Sequence, residues 1–139
     1  MRADAATRGR ILVVEDNRLN RELVVDLLEA EGYTVLEAED GTGLIERVKA
    51  EQPELILLDL QLPAVDGLTL ARQLKADPAT QGIPVLVTTA YAQVGNREMV
   101  LAAGCSGFLA KPIDVRAFVQ TVGHLLGRSS TAWASSHAH

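Results

Sequence analysis

The sequence predicts a doubly wound α/β sheet with right-handed crossovers, and three observations carry that expectation. Five short apolar runs, at 11–14, 33–36, 55–58, 83–88 and 107–110, are each bounded by Gly, Pro or acidic residues. Segments with apolar residues at helical spacing lie between them. The runs begin 22, 22, 28 and 24 residues apart, room each time for one crossover helix and its loops. No self-similarity accompanies this rhythm, so a repeat array is excluded.

The elements follow in order. Ile11, Leu12, Val13 and Val14 are apolar at every position, as suits a strand covered on both faces. Leu19, Leu23, Val24, Leu27 and Leu28 then mark a helix, and 33–36 a second strand. Leu44, Ile45 and Val48 indicate the next helix, before Leu55, Ile56, Leu57 and Leu58 give another wholly apolar strand. Asp66-Gly67 reads as a turn and helix start, with Leu70, Ala71 and Leu74 on the buried stripe. Strand four covers 83–88, and Met99, Val100 and Ala103 mark a weaker helix after Gly95. Strand five is 107–110. Asp114 then stands at an N-cap position ahead of the stripe Val115, Phe118, Val119, Val122, Leu125 and Leu126.

Composition bounds the rest. A chain of 139 residues holds one domain, expected at 9–127, between a flexible segment at 1–8 and a polar, disordered tail at 128–139 that carries Trp133. Thirteen basic against eighteen acidic residues give a net charge of -5, which argues against direct nucleic-acid binding. The single cysteine, Cys105, rules out an internal disulfide and reads as a small packed residue. Residues 1–10 are polar and lack the apolar core of a signal peptide, so none is expected, and no apolar run approaches the roughly 20 residues that span a bilayer. A cytoplasmic location is expected.

In open α/β sheets ligands bind beyond the carboxyl ends of the strands. Those ends carry Glu15 and Asp16, Asp59, Thr88 and Thr89, and Lys111 followed by Pro112. Taken singly, each residue could simply open a loop. As a set they need a positive partner, since like charges about 4 Å apart cost on the order of 4 kcal/mol at an effective dielectric near 20. Mg²⁺ suits an all-oxygen site, and Lys111 supplies a second positive charge. A carboxylate so placed can attack a phosphoryl group. Asp59, ending the fully apolar third strand, is the best-placed nucleophile, with Glu15 and Asp16 as metal ligands and with Thr89 and Lys111 for the phosphoryl oxygens.

The chain resembles the receiver domain of bacterial two-component response regulators. The likeness rests on Val13-Val14-Glu15-Asp16-Asn17, Leu57-Leu58-Asp59-Leu60, Leu62-Pro63-Ala64-Val65-Asp66-Gly67, Val87-Thr88-Thr89-Ala90 and Gly107-Phe108-Leu109-Ala110-Lys111-Pro112, in that order and spacing. It implies a flavodoxin-like sheet in order 2-1-3-4-5 with five helices. It also implies that Asp59 accepts a phosphoryl group from a phosphohistidine on a sensor histidine kinase or histidine phosphotransfer protein. Glu15, Asp16, Asp59 and the backbone carbonyl of Gln61 would hold Mg²⁺. Thr89 and Phe108 would form the switch, altering the face made by helix four, strand five and helix five, through which a homodimer could form. The Lys111-Pro112 bond is expected to be cis.

Some details depart from the common pattern. Glu15 is a longer acid than the usual Asp, so its contact with the metal could run through water. Phe108 lacks the hydroxyl of a tyrosine. Gln61 and Tyr91 flank the expected phosphorylation site, which predicts slow autodephosphorylation. Helix one, led by Arg18, Leu19 and Arg21, is the expected kinase-docking surface.

Rival classes fit less well. A haloacid-dehalogenase-type phosphatase would have Asp where Gln61 stands, a flavodoxin would have a phosphate loop after strand one, and no GxxxxGK[ST] motif occurs. His124, His137 and His139 form no metal or triad pattern. An unphosphorylated pseudo-receiver and a receiver from a hybrid histidine kinase remain as alternatives. The expected protein is no enzyme beyond its own phosphorylation and dephosphorylation. It is expected to be a stand-alone regulator or phosphorelay shuttle that acts by docking to a downstream protein.

Overall fold

The computed structural model describes residues 9–62, 66–89 and 94–126, with the side chains of 94–97 left aside. In chain order the elements are β1 (Arg10–Val14), α1 (Arg18–Ala30), β2 (Thr34–Ala38), α2 (Leu44–Glu51), β3 (Leu55–Asp59), α3 (Gly67–Ala76), β4 (Val85–Thr89), α4 (Val94–Ala102), β5 (Gly107–Ala110) and α5 (Val115–Leu126). The strands form one parallel sheet in order β2-β1-β3-β4-β5. Fold class and strand order are those expected.

The wholly apolar runs occupy the centre of this sheet. Every residue of β3 and β4 is buried, because helices cover both faces. Alternate side chains divide between two cores. Leu12, Val14, Ile56, Leu58, Val85 and Val87 meet α2, α3 and α4 through Leu44, Val48, Leu70, Leu74 and Val100. Ile11, Val13, Leu55, Leu57 and Leu86 meet α1 and α5 through Val24, Leu28, Phe118 and Val122. Fully burying one such side chain contributes on the order of 1.5–3 kcal/mol.

Asn17 caps α1 by accepting from the Asn20 N–H at 2.9 Å. Asp114 caps α5 by accepting from the Ala117 N–H at 3.1 Å, as its position predicted. Two strand starts differ from expectation. Tyr33 is buried but closes α1, its N–H donating to the Leu28 carbonyl after Gly32 at φ 95°. Ile83 closes a turn onto Thr80, and the strand begins only after Pro84. Both were apolar enough to look like strand while their N–H groups serve turns.

The close approach of α3 to β3 requires a glycine. A Cβ on Gly67 would lie 2.6 Å from the Asp59 carbonyl oxygen and 2.8 Å from Leu60 Cα, closer than real Cβ atoms approach backbone. The turn and helix start read at Asp66-Gly67 are observed; the structure adds that α3 starts against the backbone of a candidate site residue. The expected segments at 1–8 and 128–139 lie outside the described residues, as does Trp133.

Candidate functional site

The parallel register brings the ends of β1, β3, β4 and β5 to one edge. There Glu15 is 4% exposed, Asp59 2% and Thr89 0%, whereas Asp16 is open to solvent. Lys111 reaches into this group from just beyond β5. Its Nζ donates to Glu15 Oε1 at 2.9 Å and to Asp59 Oδ2 at 3.0 Å. The Lys111-Pro112 peptide bond is cis. The Lys111 N–H donates to the Thr89 carbonyl at 2.8 Å, fixing the lysine backbone to the end of β4.

The remaining carboxylate oxygens of the buried acids are also engaged. Glu15 Oε2 accepts from the Asn17 N–H at 3.1 Å, and Asp59 Oδ1 from the Gln61 N–H at 3.0 Å. Burial pushes the Glu15 carboxyl above its ordinary pKa and the Asp59 charge adds to this, while Lys111 and Asn17 offset only part. Burial alone would lower Lys111, but hydrogen bonds from its ammonium to Glu15 and Asp59, and their charges, outweigh it and raise its pKa. The lysine is therefore firmly cationic at neutral pH.

One carboxylate oxygen from each of Glu15, Asp16 and Asp59 can be chosen so that all lie within 4.8 Å of one another. Three hard oxygen donors, one of them open to solvent, fit a small divalent cation that keeps part of its water shell. The donor set thus agrees with the Mg²⁺ expectation in kind and spacing.

Thr89 is held by a contact that the sequence did not reveal. Gln61 Nε2 donates to Thr89 Oγ1 at 2.5 Å, so one residue touches the candidate acceptor through its backbone and the candidate switch through its side chain. Phe108 is half-buried and packs against the core on the α2–α4 side, beside Val87 in register. Tyr91 lies outside the described residues. Cys105 is buried without a disulfide, and burial pushes its thiol up, in keeping with a packing role.

Arg21 corrects an expectation. Sequence reasoning placed it on a docking surface with Arg18 and Leu19, but its side chain is only 13% exposed. It turns inward, with Nη1 donating to the Glu15 carbonyl at 2.9 Å and Nε to Glu37 Oε1 at 3.2 Å. Helical periodicity could not find this, because one partner lies on β2, sixteen residues away. Arg18 and Leu19 do face outward, Leu19 with 74% exposure.

Comparison with known proteins agrees with this geometry. The family model for the response regulator receiver domain matches residues 11–123. The polar-differentiation response regulator DivK of Brucella anthropi is 39% identical over 117 residues, covering 84% of this chain and 95% of DivK. Among solved structures, the receiver domain of a sensor histidine kinase from Pseudomonas aeruginosa, with a magnesium ion coordinated in its active-site cleft, is 31% identical with a TM-score of 0.79. That match covers 86% of this chain and 98% of the other. The BeF3-activated N-terminal receiver domain of RstA from Klebsiella pneumoniae is 28% identical with a TM-score of 0.78, covering 84% and 97%.

Proposed function

From the premise that the chain belongs to the response regulator receiver family, we propose that Asp59 is its phosphoacceptor, taking a phosphoryl group from a phosphohistidine donor. The observation that carries this is the ammonium of Lys111 set between two buried carboxylates, Glu15 and Asp59, at the end of the central strands. An Asp59 oxygen attacks phosphorus, the P–N bond to the donor imidazole breaks, and the imidazole leaves. Mg²⁺, held by Glu15, Asp16, Asp59 and the Gln61 carbonyl, would supply the positive charge that lets an anionic nucleophile approach an anionic phosphoryl group. Lys111 turns from the free Asp59 carboxylate to a phosphoryl oxygen, and the Thr89 hydroxyl donates to another. Gln61 yields Thr89 as it does so, and Phe108 follows toward the interior. The chemistry ends on the protein's own aspartate, so the molecule is a switch rather than a turnover enzyme.

The donor's docking surface is the outer face of α1. Leu19 and Leu23 are exposed there, and a cavity of about 440 Å³ beside them is lined by Asn20, Leu23, Val24, Lys111, Pro112 and Ile113. A histidine kinase or phosphotransfer protein seated on this apolar surface would reach Asp59 past Lys111. Met99, Leu101 and Val115 are exposed on α4 and α5, the face proposed for a downstream docking protein or a second copy. The chain works in the cytoplasm; no helix among the described residues is long and apolar enough to cross a membrane.

Incubation with acetyl phosphate and Mg²⁺ followed by intact mass measurement tests the chemistry. Wild type should gain one phosphoryl mass and Asp59→Asn none. An unmodified wild type would favour a phosphorylation-independent interaction module instead. The likeness to a sensor-kinase receiver favours a second setting, a receiver joined to a kinase; phosphotransfer profiling against separate kinases distinguishes the two.

A further inference from the structure

The loop bearing Glu15 and Asp16 is held from outside the acidic pocket as well as from within. Inside, both Glu15 carboxylate oxygens are engaged, by Lys111 and by the Asn17 N–H. Outside, Arg21 donates to the Glu15 main-chain carbonyl at 2.9 Å. The same guanidinium donates to Glu37 at the end of β2 at 3.2 Å. Glu37 is itself fixed, since Arg47 of α2 donates to its main-chain oxygen at 2.5 Å. A line of contacts thus runs from α2 through β2 and α1 to the turn after β1.

We infer that Arg21 is a positioning residue for cation binding. By tying the Glu15 carbonyl to β2, it sets where the Glu15 and Asp16 carboxylates stand relative to Asp59. This rests on the metal-binding role proposed above for those three acids. Two effects of Arg21 oppose each other. As a cation near the pocket it would repel Mg²⁺, yet Glu37 neutralises much of that charge and the guanidinium contacts the main chain rather than the carboxylates. The geometric effect is the larger. A planar fork suits this task, because one guanidinium satisfies a carbonyl and a carboxylate at once, whereas an ammonium has no fixed pair of donor directions.

Titration calorimetry of the metal-free full chain with MgCl₂ tests the assignment. Arg21→Met, which keeps the apolar stem, should weaken Mg²⁺ binding about 10-fold, the lower end of what loss of an outer partner of a metal ligand causes. Arg21→Lys should recover part of that loss. Glu37→Gln, at a half-exposed side chain that leaves the core intact, should give a smaller loss in the same direction. The double variant should lose little more than Arg21→Met alone, because both substitutions cut one chain of contacts. In the metal-free protein, the Asn17 amide should exchange faster in Arg21→Met than in wild type. Unchanged or tighter Mg²⁺ binding by Arg21→Met overturns the inference while leaving the receiver chemistry standing. Failure of wild type to bind Mg²⁺ overturns both.

Discussion

Two partly buried lysines stand at opposite ends of the same sheet. Lys111, beyond the carboxyl end of β5, faces Glu15 and Asp59, and its pKa is raised. Lys75 lies near the amino ends of β4 and β5, where it donates to the carbonyls of Gln81 at 3.2 Å and Ile83 at 2.6 Å. Burial lowers its pKa, and the nearby Cys105 offsets only part. Burial opposes the charge in both cases, so the partners decide the sign. Carbonyl dipoles make a structural tether, whereas full negative charges make a site that can exchange one anion for another.

The largest expected effect is at Lys111. Lys111→Met leaves Glu15 and Asp59 facing one another without their cation, and breaking a buried ion pair costs roughly 3–5 kcal/mol. Denaturant unfolding of the metal-free protein should show that loss, and phosphorylation by acetyl phosphate should slow by about 100-fold or more. A rate within a few-fold of wild type would remove Lys111 from the chemistry.

Gly67→Ala comes next, since it disturbs the carboxyl end without touching a charge. The added methyl would press on the Asp59 carbonyl, at a cost of about 1–3 kcal/mol from overpacking. Stability should fall and phosphorylation with it, whereas the same change at Gly82, where a Cβ meets nothing within 4 Å, should leave both near wild type. Lys75→Met should cost about 1 kcal/mol through its lost hydrogen bonds and leave the phosphorylation rate unaltered. If it slowed phosphorylation as Lys111→Met does, the contrast between the two ends would collapse.

The smallest effect is a difference in pH slope. Lys111 has a raised folded pKa, so its contribution is full below the ordinary 10.5 and is lost as pH rises through the folded value. Lys75 has a lowered one, so its contribution is present above 10.5 and is lost as pH falls through the folded value. Raising the pH past 10.5 should therefore shrink the stability gap between wild type and Lys111→Met. The gap between wild type and Lys75→Met should move in wild type's favour. Parallel gaps in denaturation series across this range would contradict the opposite shifts.

The carboxyl end of the sheet was far more legible in sequence than the contacts that support it. Asp59 and Thr89 end short buried strands and Glu15, Asp16 and Lys111 directly follow them, and parallel strands bring such endings together whatever the loops do. Tyr33 and Ile83 were misplaced because apolar character reports burial, whereas strand membership depends on where an N–H is directed. Arg21 was read as a surface residue for a similar reason: charge and helical phase do not show that a loop carbonyl and a β2 carboxylate lie within reach. The Gln61–Thr89 bond spans 28 residues, and the tight seat of Gly67 exists only once α3 packs on β3. These are products of packing, with no local pattern to announce them.

Lys111 also separates folding from activation. By standing between Glu15 and Asp59, it offsets part of the pocket's negative charge from within the polypeptide, so the chain can reach its native state without a bound ion. On the function proposed above, the cation would then be a co-reactant rather than a scaffold, unlike the zinc of a finger domain whose removal unfolds the chain. Chelation should silence phosphorylation and leave the molecule standing, ready to resume once the ion returns.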